Sequence, residues 1–383
     1  MTQELVFHLG DRKTGSTSIQ DSLRTRNWLG SVPDLIFSAK RMHHADFASA
    51  AMPGGMTPGR QREMRDLVGR VTASTAQISV ISSENFEDSD PALVQKLLNQ
   101  MFPELAGSAR FISYVRPHAD RVLSNYAERL KLGSFTGSID QFVDRWSKNG
   151  KIRYHPRFSR WREVFGDRFE LRPMIRAQLH QNCVVRDFLG FAFKSTDFKL
   201  KVEPESNMSL SVEYLSLLLH LHKHLAMLPQ DAKAQETIGR NFAIVMSAVP
   251  LQKSTKLAMT ALTFARVREM YEADAVALDR DFFTGDPMME AMAAAGQKLA
   301  DQPQSFEAKD HFNLDAVQII EAWSQFTTQM TRNAPETWLR YFKDLRTGGV
   351  SAEAKAVSSP SVTPRPQKGR NLAHRPSKRA KSA

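Results

Sequence analysis

The sequence ELVFHLGDRKTGSTSIQDSLRTRN, residues 4–27, decides the fold of this chain. It opens with a short and mostly apolar run at residues 5–9, which predicts a buried strand. A loop bounded by two glycines follows, and Ile19 and Leu23 then recur at helical spacing, which predicts a helix starting at the end of the loop. This order of strand, glycine loop and helix favours phosphate binding, because the unpaired N–H groups and the positive dipole end of a helix N-terminus attract an anion.

The loop carries one lysine and three hydroxyl side chains, Lys13, Thr14, Ser16 and Thr17. In the P-loop of nucleotide triphosphatases, G-x-x-x-x-G-K-[ST], a lysine follows the second glycine. Here the glycines have the same separation, but Ser16 occupies that lysine position and Lys13 precedes the second glycine by two residues. The pattern therefore favours a phosphate site of another kind, and an ordinary turn between strand and helix stays open as the alternative.

A second strand–helix junction lies between residues 110 and 126. Residues 110–115, RFISYV, predict a buried strand, and Arg116 and Pro117 follow at its end. Proline suits the first turn of the helix expected next, since its missing N–H costs little there. Ser124 comes eight residues after Arg116, so that both side chains can face one side. Arginine binds a phosphate dianion through a fork of N–H groups, although a solvated arginine and an unrelated serine would give the same pattern.

Together the two junctions resemble the nucleotide-binding elements of sulfotransferases that use 3′-phosphoadenylyl sulfate (PAPS). The first element is Lys13-Thr14-Gly15-Ser16-Thr17, and the second is R-P-x(6)-S, from Arg116 to Ser124. The resemblance implies that Arg12 and the first element bind the 5′-phosphosulfate, and that Arg116 and Ser124 bind the ribose 3′-phosphate. It also implies in-line transfer without a metal, with Lys13 as a catalytic residue that neutralises charge on the leaving oxygen.

The pair Asn207 and Ser209 resembles a family segment that closes over the nucleotide. Family members often carry a basic residue shortly before this asparagine, where this chain has Pro204, Glu205 and Ser206. We expect Asn207 and Ser209 to contact the nucleotide, with capping of the following helix by Ser209 or Ser211 as the alternative.

Glu84 is the expected general base. It follows residues 77–83, QISVISS, which predict a strand, and ligands of open α/β sheets bind at the carboxyl ends of strands. An acceptor hydroxyl is a weak nucleophile until a base takes its proton. The alternatives are an exposed loop acid, an ion-pair partner of a nearby arginine, or a histidine base, for which His43 and His44 are the candidates.

The whole chain predicts an α/β fold: a three-layer parallel sheet of the P-loop-like sulfotransferase type, with helical insertions and a helical C-terminal part. We expect a sulfotransferase domain at residues 1–290, a helical extension packed on it at 291–350, and a disordered basic tail at 351–383. Residues 231–283 have a helical pattern throughout.

Composition and charge set limits on location and partners. The single cysteine, Cys183, excludes an intramolecular disulfide, and no apolar run is long enough for a signal peptide or a membrane span, so a cytoplasmic protein is expected. The tail at residues 351–383 supplies +7 of the net charge of +11. It is a candidate for peripheral contact with an anionic surface, a solubilising role is the simpler alternative, and specific binding of nucleic acid is not expected.

The predicted function is transfer of the sulfuryl group of PAPS, with PAP as product, to a hydroxyl or amine of a small-molecule or glycan acceptor. The resemblance favours a carbohydrate or glycolipid as acceptor, although no residue identifies a sugar. A P-loop-type nucleotide kinase is one alternative, but it needs a lysine in place of Ser16. A non-catalytic binding protein that retains the fold is the other.

Overall fold

A five-stranded parallel sheet forms the centre of the protein. The computed structural model describes residues 4–40, 42–147, 150–204, 210–225, 232–249, 251–333, 336–338 and 340–341. The strands are β1 (Glu4–Leu9), β2 (Leu35–Phe37), β3 (Ile78–Ser83), β4 (Arg110–Val115) and β5 (Phe169–Pro173). They lie in the order β2-β3-β1-β4-β5, and every pairing among them is parallel.

The helices of the described residues cover both faces of this sheet and extend beyond it. They are α1 (Ser16–Thr25), α2 (Ala45–Ala50), α3 (Pro58–Thr72), α4 (Pro91–Met101), α5 (His118–Lys131), α6 (Ile139–Ser147), α7 (Tyr154–Phe165), α8 (Val184–Phe193), α9 (Val212–Leu225), α10 (Ala232–Ser247), α11 (Ala261–Phe282), α12 (Pro287–Ala295) and α13 (Leu314–Asn333).

The alternation of side chains along β1 divides the core into two layers. Leu5, Phe7 and Leu9 point to one face, where they join a large apolar cluster with residues of α2–α5, α7, α11 and α12. Val6 points to the other face, where it packs with residues of α1 and α8, such as Phe188. Because both faces are covered, β1, β3 and β4 are buried along almost their whole length, as expected for a parallel sheet. The fold is therefore α/β with three layers.

Two local predictions need correction. Residues 231–283 are not helical throughout, since α10 and α11 are separate and the described residues 251–259 between them are non-helical. Pro250 lies in this interval, and proline disfavours a continuous helix because it lacks an N–H. Pro117 is also not in the first helical turn: it is the residue before α5, with φ −49° and ψ 138°.

The C-terminal third continues the helical architecture. The domain boundary expected at residue 290 lies within α12, and α13 packs against α9. The tail at 351–383, with its expected disorder, lies outside the described residues. Among the described residues, no helix combines the length and apolar character needed to cross a membrane.

Candidate functional site

The loops that follow β1, β3 and β4 meet at one edge of the sheet. In the sheet order, β1 lies between β3 and β4, and all three strands end on the same side. The last pair of β1 and β3 is Leu9 with Ser83, so Gly10 and Glu84 are the next residues on each strand. A Cβ atom on Gly10 would lie 2.8 Å from Ser16 Oγ and 3.2 Å from the Ser83 carbonyl oxygen, so this approach needs a glycine.

The loop after β1 is held in shape by its own hydroxyl groups. Thr14 Oγ1 donates to the Asp11 carbonyl oxygen at 2.6 Å, and Ser16 Oγ donates to the same oxygen at 3.3 Å. Lys13 and Gly15 have positive φ angles of 66° and 84°. The buried hydroxyls of Thr14 and Ser16 thus shape the loop.

The first turn of α1 has no capping side chain. Gly15 is the N-cap residue and forms no side-chain cap, the first turn contains no acidic residue, and Thr17 is exposed. The N–H groups of a helix start and its positive dipole end favour an anion. This end of α1 therefore has the character expected of an anion-binding turn.

Arg116 connects the two junctions that the sequence singled out. Its Nη1 donates to the Lys13 carbonyl oxygen and to Ser124 Oγ, both at 3.3 Å. Arg116 is half-buried, and this burial lowers the pKa of its guanidinium. The pairing with Ser124 does not arise from two residues on one helix face, because Arg116 precedes α5. It arises because Arg116, which follows the end of β4, reaches the second turn of that helix, where Ser124 lies.

Lys13 is engaged by an acidic residue that sequence reasoning missed. Its Nζ lies 2.8 Å from Glu128 Oε2 on α5. Glu128 also pairs with Lys131, and Arg240 of α10 lies 3.8 Å away. Burial alone would raise the pKa of Glu128, but Lys13 and Lys131 outweigh it and lower that pKa to about 2. The lysine is therefore neutralised by a fully ionised carboxylate.

Glu84 is the carboxylate nearest in sequence to the end of β3, and it begins the short 3₁₀ turn Glu84–Asp88. Its side chain is half-buried and forms no hydrogen bond or ion pair within the described part of the chain. Burial raises the pKa of Glu84, while the charges of Arg12 and Lys13 oppose that rise. A raised pKa and a carboxylate without partners are properties of a general base.

The two histidines proposed as alternative bases differ in their surroundings. His44 is buried and accepts a hydrogen bond at Nδ1 from the Ser82 N–H at 3.2 Å. Burial lowers the pKa of His44 to about 3, so the ring is neutral at pH 7. His43 is half-buried, and its Nδ1 lies 3.5 Å from Ser83 Oγ. The ring of His43 therefore lies beside the end of β3, one residue from Glu84.

A buried network of charged residues lies beneath the loop, and sequence reasoning missed it. Asp11 accepts from Arg157 of α7 at 2.8 Å and from Arg121 of α5 at 3.4 Å. Arg121 also donates to Glu87 at 2.8 Å, and Arg12 Nε lies 3.3 Å from the other oxygen of Glu87. Asp11 and Arg121 are each 1% exposed. The network thus ties the loop to α5, α7 and the turn after β3.

The pKa values of the two acids in this network, Asp11 and Glu87, are shifted in opposite directions. Burial disfavours both charges, but Arg157 and Arg121 lie close enough to Asp11 to lower its pKa. The pKa of Glu87 is raised, first by burial and then by the negative charge of Asp11. Two buried carboxylates close to each other behave in this way because the negative charge of one disfavours ionisation of the other.

Two of the predicted nucleotide contacts lie outside what the structure describes. Asn207 and Ser209 fall in residues 205–209, which are not among the described residues. Arg12 is exposed at the surface of the loop. In the described residues, His, Cys, Asp and Glu side chains form no group of three or more that could hold a metal ion.

No protein-family model matches the chain, and no curated protein matches it in sequence.

Proposed function

We propose that this protein is a PAPS-dependent sulfotransferase. The observation that carries the proposal is the contact of Arg116 Nη1 with both the Lys13 carbonyl oxygen and Ser124 Oγ, each at 3.3 Å. This contact joins the two sequence elements that resemble the 5′-phosphosulfate and 3′-phosphate elements of that family. A nucleotide with phosphates at both ends of its ribose needs two anion sites side by side.

The fold is compatible with a P-loop-like type. A glycine loop between the central strand β1 and helix α1 is the position at which nucleotide phosphates bind in open α/β sheets. Ser16 in place of the P-loop lysine distinguishes this loop from that of nucleotide triphosphatases. The same substitution argues against the kinase alternative.

The proposed roles follow from charge and position. The N–H groups at the start of α1 and the side chain of Lys13 bind the phosphosulfate, and Arg116 and Ser124 bind the 3′-phosphate. Glu84 accepts the acceptor's proton as its oxygen or nitrogen forms a bond to sulfur. The bond between sulfur and the bridging oxygen breaks, and PAP leaves with the electron pair of that bond. Lys13 stabilises the negative charge on this leaving oxygen.

Lys13 has to exchange partners in this scheme, because it is paired with Glu128. The exposed fractions of the Lys13 and Glu128 side chains are 29% and 20%, so nucleotide binding has to offset the loss of a mostly buried ion pair. Glu128 keeps Lys131 as a partner after Lys13 leaves.

For the acceptor, only a chemical class is proposed. A carbohydrate or glycolipid hydroxyl is the class that the resemblance favours, and the proton-accepting role of Glu84 suits a hydroxyl of high pKa.

Calorimetric and thermal-shift titration with PAP, compared with ATP–Mg²⁺, tests the proposal. We expect PAP to bind without a metal and to raise the unfolding temperature, since a ligand that binds only the folded state stabilises it. Binding of ATP–Mg²⁺ with no binding of PAP would support a kinase instead. Binding of PAP without any transfer from PAPS to glycan acceptors would support the non-catalytic alternative.

A further inference from the structure

Glu87 is a buried acid that depends in part on an exposed residue for its counter-charge. Its side chain is 2% exposed, and Arg121 Nη2 donates to Glu87 Oε1 at 2.8 Å. The second carboxylate oxygen, Oε2, lies 3.3 Å from Arg12 Nε, and the Arg12 side chain is 45% exposed. Within the described part of the chain, Glu87 Oε2 accepts no hydrogen bond. One oxygen of this buried carboxylate is therefore compensated only by an arginine at the surface of the nucleotide-binding loop.

Arg121 is shared between Glu87 and a second acid. Its Nη2 also lies 3.4 Å from Asp11 Oδ1, and Asp11 has Arg157 as a further partner at 2.8 Å. The carboxyl groups of Asp11 and Glu87 are close enough for a hydrogen bond in which a protonated Glu87 donates to Asp11. Asp11 is the better compensated of the two, so a proton that enters this pair resides on Glu87.

Further titratable side chains lie on the elements that surround Glu87. They are Tyr154 and Arg157 of α7, His8 of β1, Glu84 and Asp88 of the turn itself, and Asp46 of α2, which packs against that turn. Burial raises the pKa of Tyr154 and lowers that of His8 to about 3, so both are neutral at pH 7. Arg157 acts on Glu87 through its charge, but its side-chain ion pair is with Asp11. Among the described residues, the cations in contact with the Glu87 carboxylate are Arg121 and Arg12.

We propose that nucleotide binding draws Arg12 away from Glu87, and that Glu87 then takes up a proton from the solvent. The inference rests on the proposed function and on the expectation that Arg12 binds the 5′-phosphosulfate together with its loop. Without Arg12, Glu87 shares one arginine with the ionised Asp11, which favours the protonated carboxyl group.

The free protein is already close to this protonation step at neutral pH. Burial and the negative charge of Asp11 raise the pKa of Glu87 to about 7. Withdrawal of Arg12 raises that pKa further, because a positive charge beside the carboxylate is lost. By linkage, a proton that binds more tightly to the nucleotide-bound form makes the nucleotide bind more tightly at lower pH.

Calorimetric titration with PAP in two buffers of different ionisation enthalpy measures the protons that are taken up on binding. At pH 7.5 we expect the unmodified protein to take up about half a proton per PAP more than Glu87→Gln does. Protonation changes of the phosphates of PAP are common to both proteins and cancel in this difference. Glu104→Gln is the matched control and should match the unmodified protein, because Glu104 is exposed and precedes β4, at the opposite edge of the sheet.

The variant Arg12→Gln keeps the test decisive if Glu87→Gln does not fold. Arg12 is exposed, so its replacement should leave the unfolding temperature unchanged. This variant should lose the same half proton, because no cation remains to be withdrawn from Glu87.

The outcomes separate this coupling from the proposed function. Absence of PAP binding to the unmodified protein would contradict the proposed function and, with it, the coupling. PAP binding with equal proton uptake in the unmodified protein and in either folded variant would overturn the coupling alone.

Discussion

The ammonium group of Lys13 lies 2.8 Å from a carboxylate oxygen of Glu128, a residue 115 positions later in the chain. The loop lysine therefore has a counterion of its own before any ligand arrives. In the proposed reaction this pair opposes nucleotide binding, because Lys13 leaves Glu128 to reach the phosphosulfate.

Replacing Glu128 should strengthen nucleotide binding. In Glu128→Gln the lysine no longer has a competing anion, and we expect PAP to bind about fivefold more tightly, the size of a partly exposed ion pair. Calorimetric titration measures this change. Glu272→Gln, which removes an exposed partner of Arg268 on α11, is the control and should leave PAP affinity unchanged. Weaker binding in Glu128→Gln would instead make Glu128 a residue that positions the lysine.

Two histidines that are buried in the neutral form should each lower the stability of the protein in mild acid. Burial lowers the pKa of His8 and of His44 to about 3, below the value of 6.5 in the unfolded chain. Between these values the unfolded state binds more protons, so this stabilisation is complete above pH 6.5 and is lost as the pH falls toward 3. At pH 5 each histidine should lower the free energy of unfolding by about 2 kcal/mol.

The variant His8→Gln isolates one of these contributions. Between pH 7 and pH 5, urea unfolding of His8→Gln should show a loss of stability about 2 kcal/mol smaller than that of the unmodified protein. Gln178→Ala, at an exposed position without a titratable group, serves as the control and should lose as much stability as the unmodified protein does. An unchanged loss of stability in His8→Gln would mean that His8 does not carry the acid sensitivity.

Removing the charge of Asp11 should be costly. Asp11→Asn leaves Arg121 and Arg157 without their shared carboxylate in a buried setting, which typically destabilises a protein by about 3–5 kcal/mol. Asp21→Asn, which breaks an exposed pair with Arg24, should cost under about 1 kcal/mol. Urea unfolding at pH 7 compares the stability of the two variants. Equal losses of unfolding free energy would show that the buried network contributes little to stability.

Gly15 should be irreplaceable by alanine. Its φ of +84° is strained for any residue with a Cβ, and that atom would lie 2.8 Å from Val184 Cγ1. We expect Gly15→Ala to lose about 1–3 kcal/mol of stability and to bind PAP poorly, since the turn at the start of α1 has to shift. At Gly107 a Cβ atom would have no neighbour within 4 Å, so Gly107→Ala should retain its stability and its PAP binding. Normal PAP binding in Gly15→Ala would show that the loop does not bind the nucleotide.

Local patterns in the sequence predicted the sheet and part of the site. The apolar runs before Gly10, Glu84 and Arg116 are strands, and their parallel order brings these residues to one edge. The contact between Arg116 and Ser124 was predicted, although helical spacing was the wrong reason for it.

The charged partners of the loop could not be predicted in this way. Arg157 and Glu128 lie on helices far along the chain, and a single charged residue on a helix has the same local pattern whether it is solvated or buried. Only the packing of α5 and α7 against the loop brings these residues to Asp11 and Lys13. Burial of Asp11 likewise depends on tertiary structure, because a buried aspartate needs partners and the arginines that pair with Asp11 lie on α5 and α7.

The most direct test of the central claim compares the binding of PAP and of 5′-AMP, which lacks the 3′-phosphate, to the unmodified protein and to Arg116→Ala. If Arg116 and Ser124 bind the 3′-phosphate, the unmodified protein should bind PAP at least about tenfold more tightly than 5′-AMP. Arg116→Ala should lose that preference while its affinity for 5′-AMP changes little. Equal affinity of the unmodified protein for the two nucleotides, or a preference for PAP that survives in Arg116→Ala, would contradict the account.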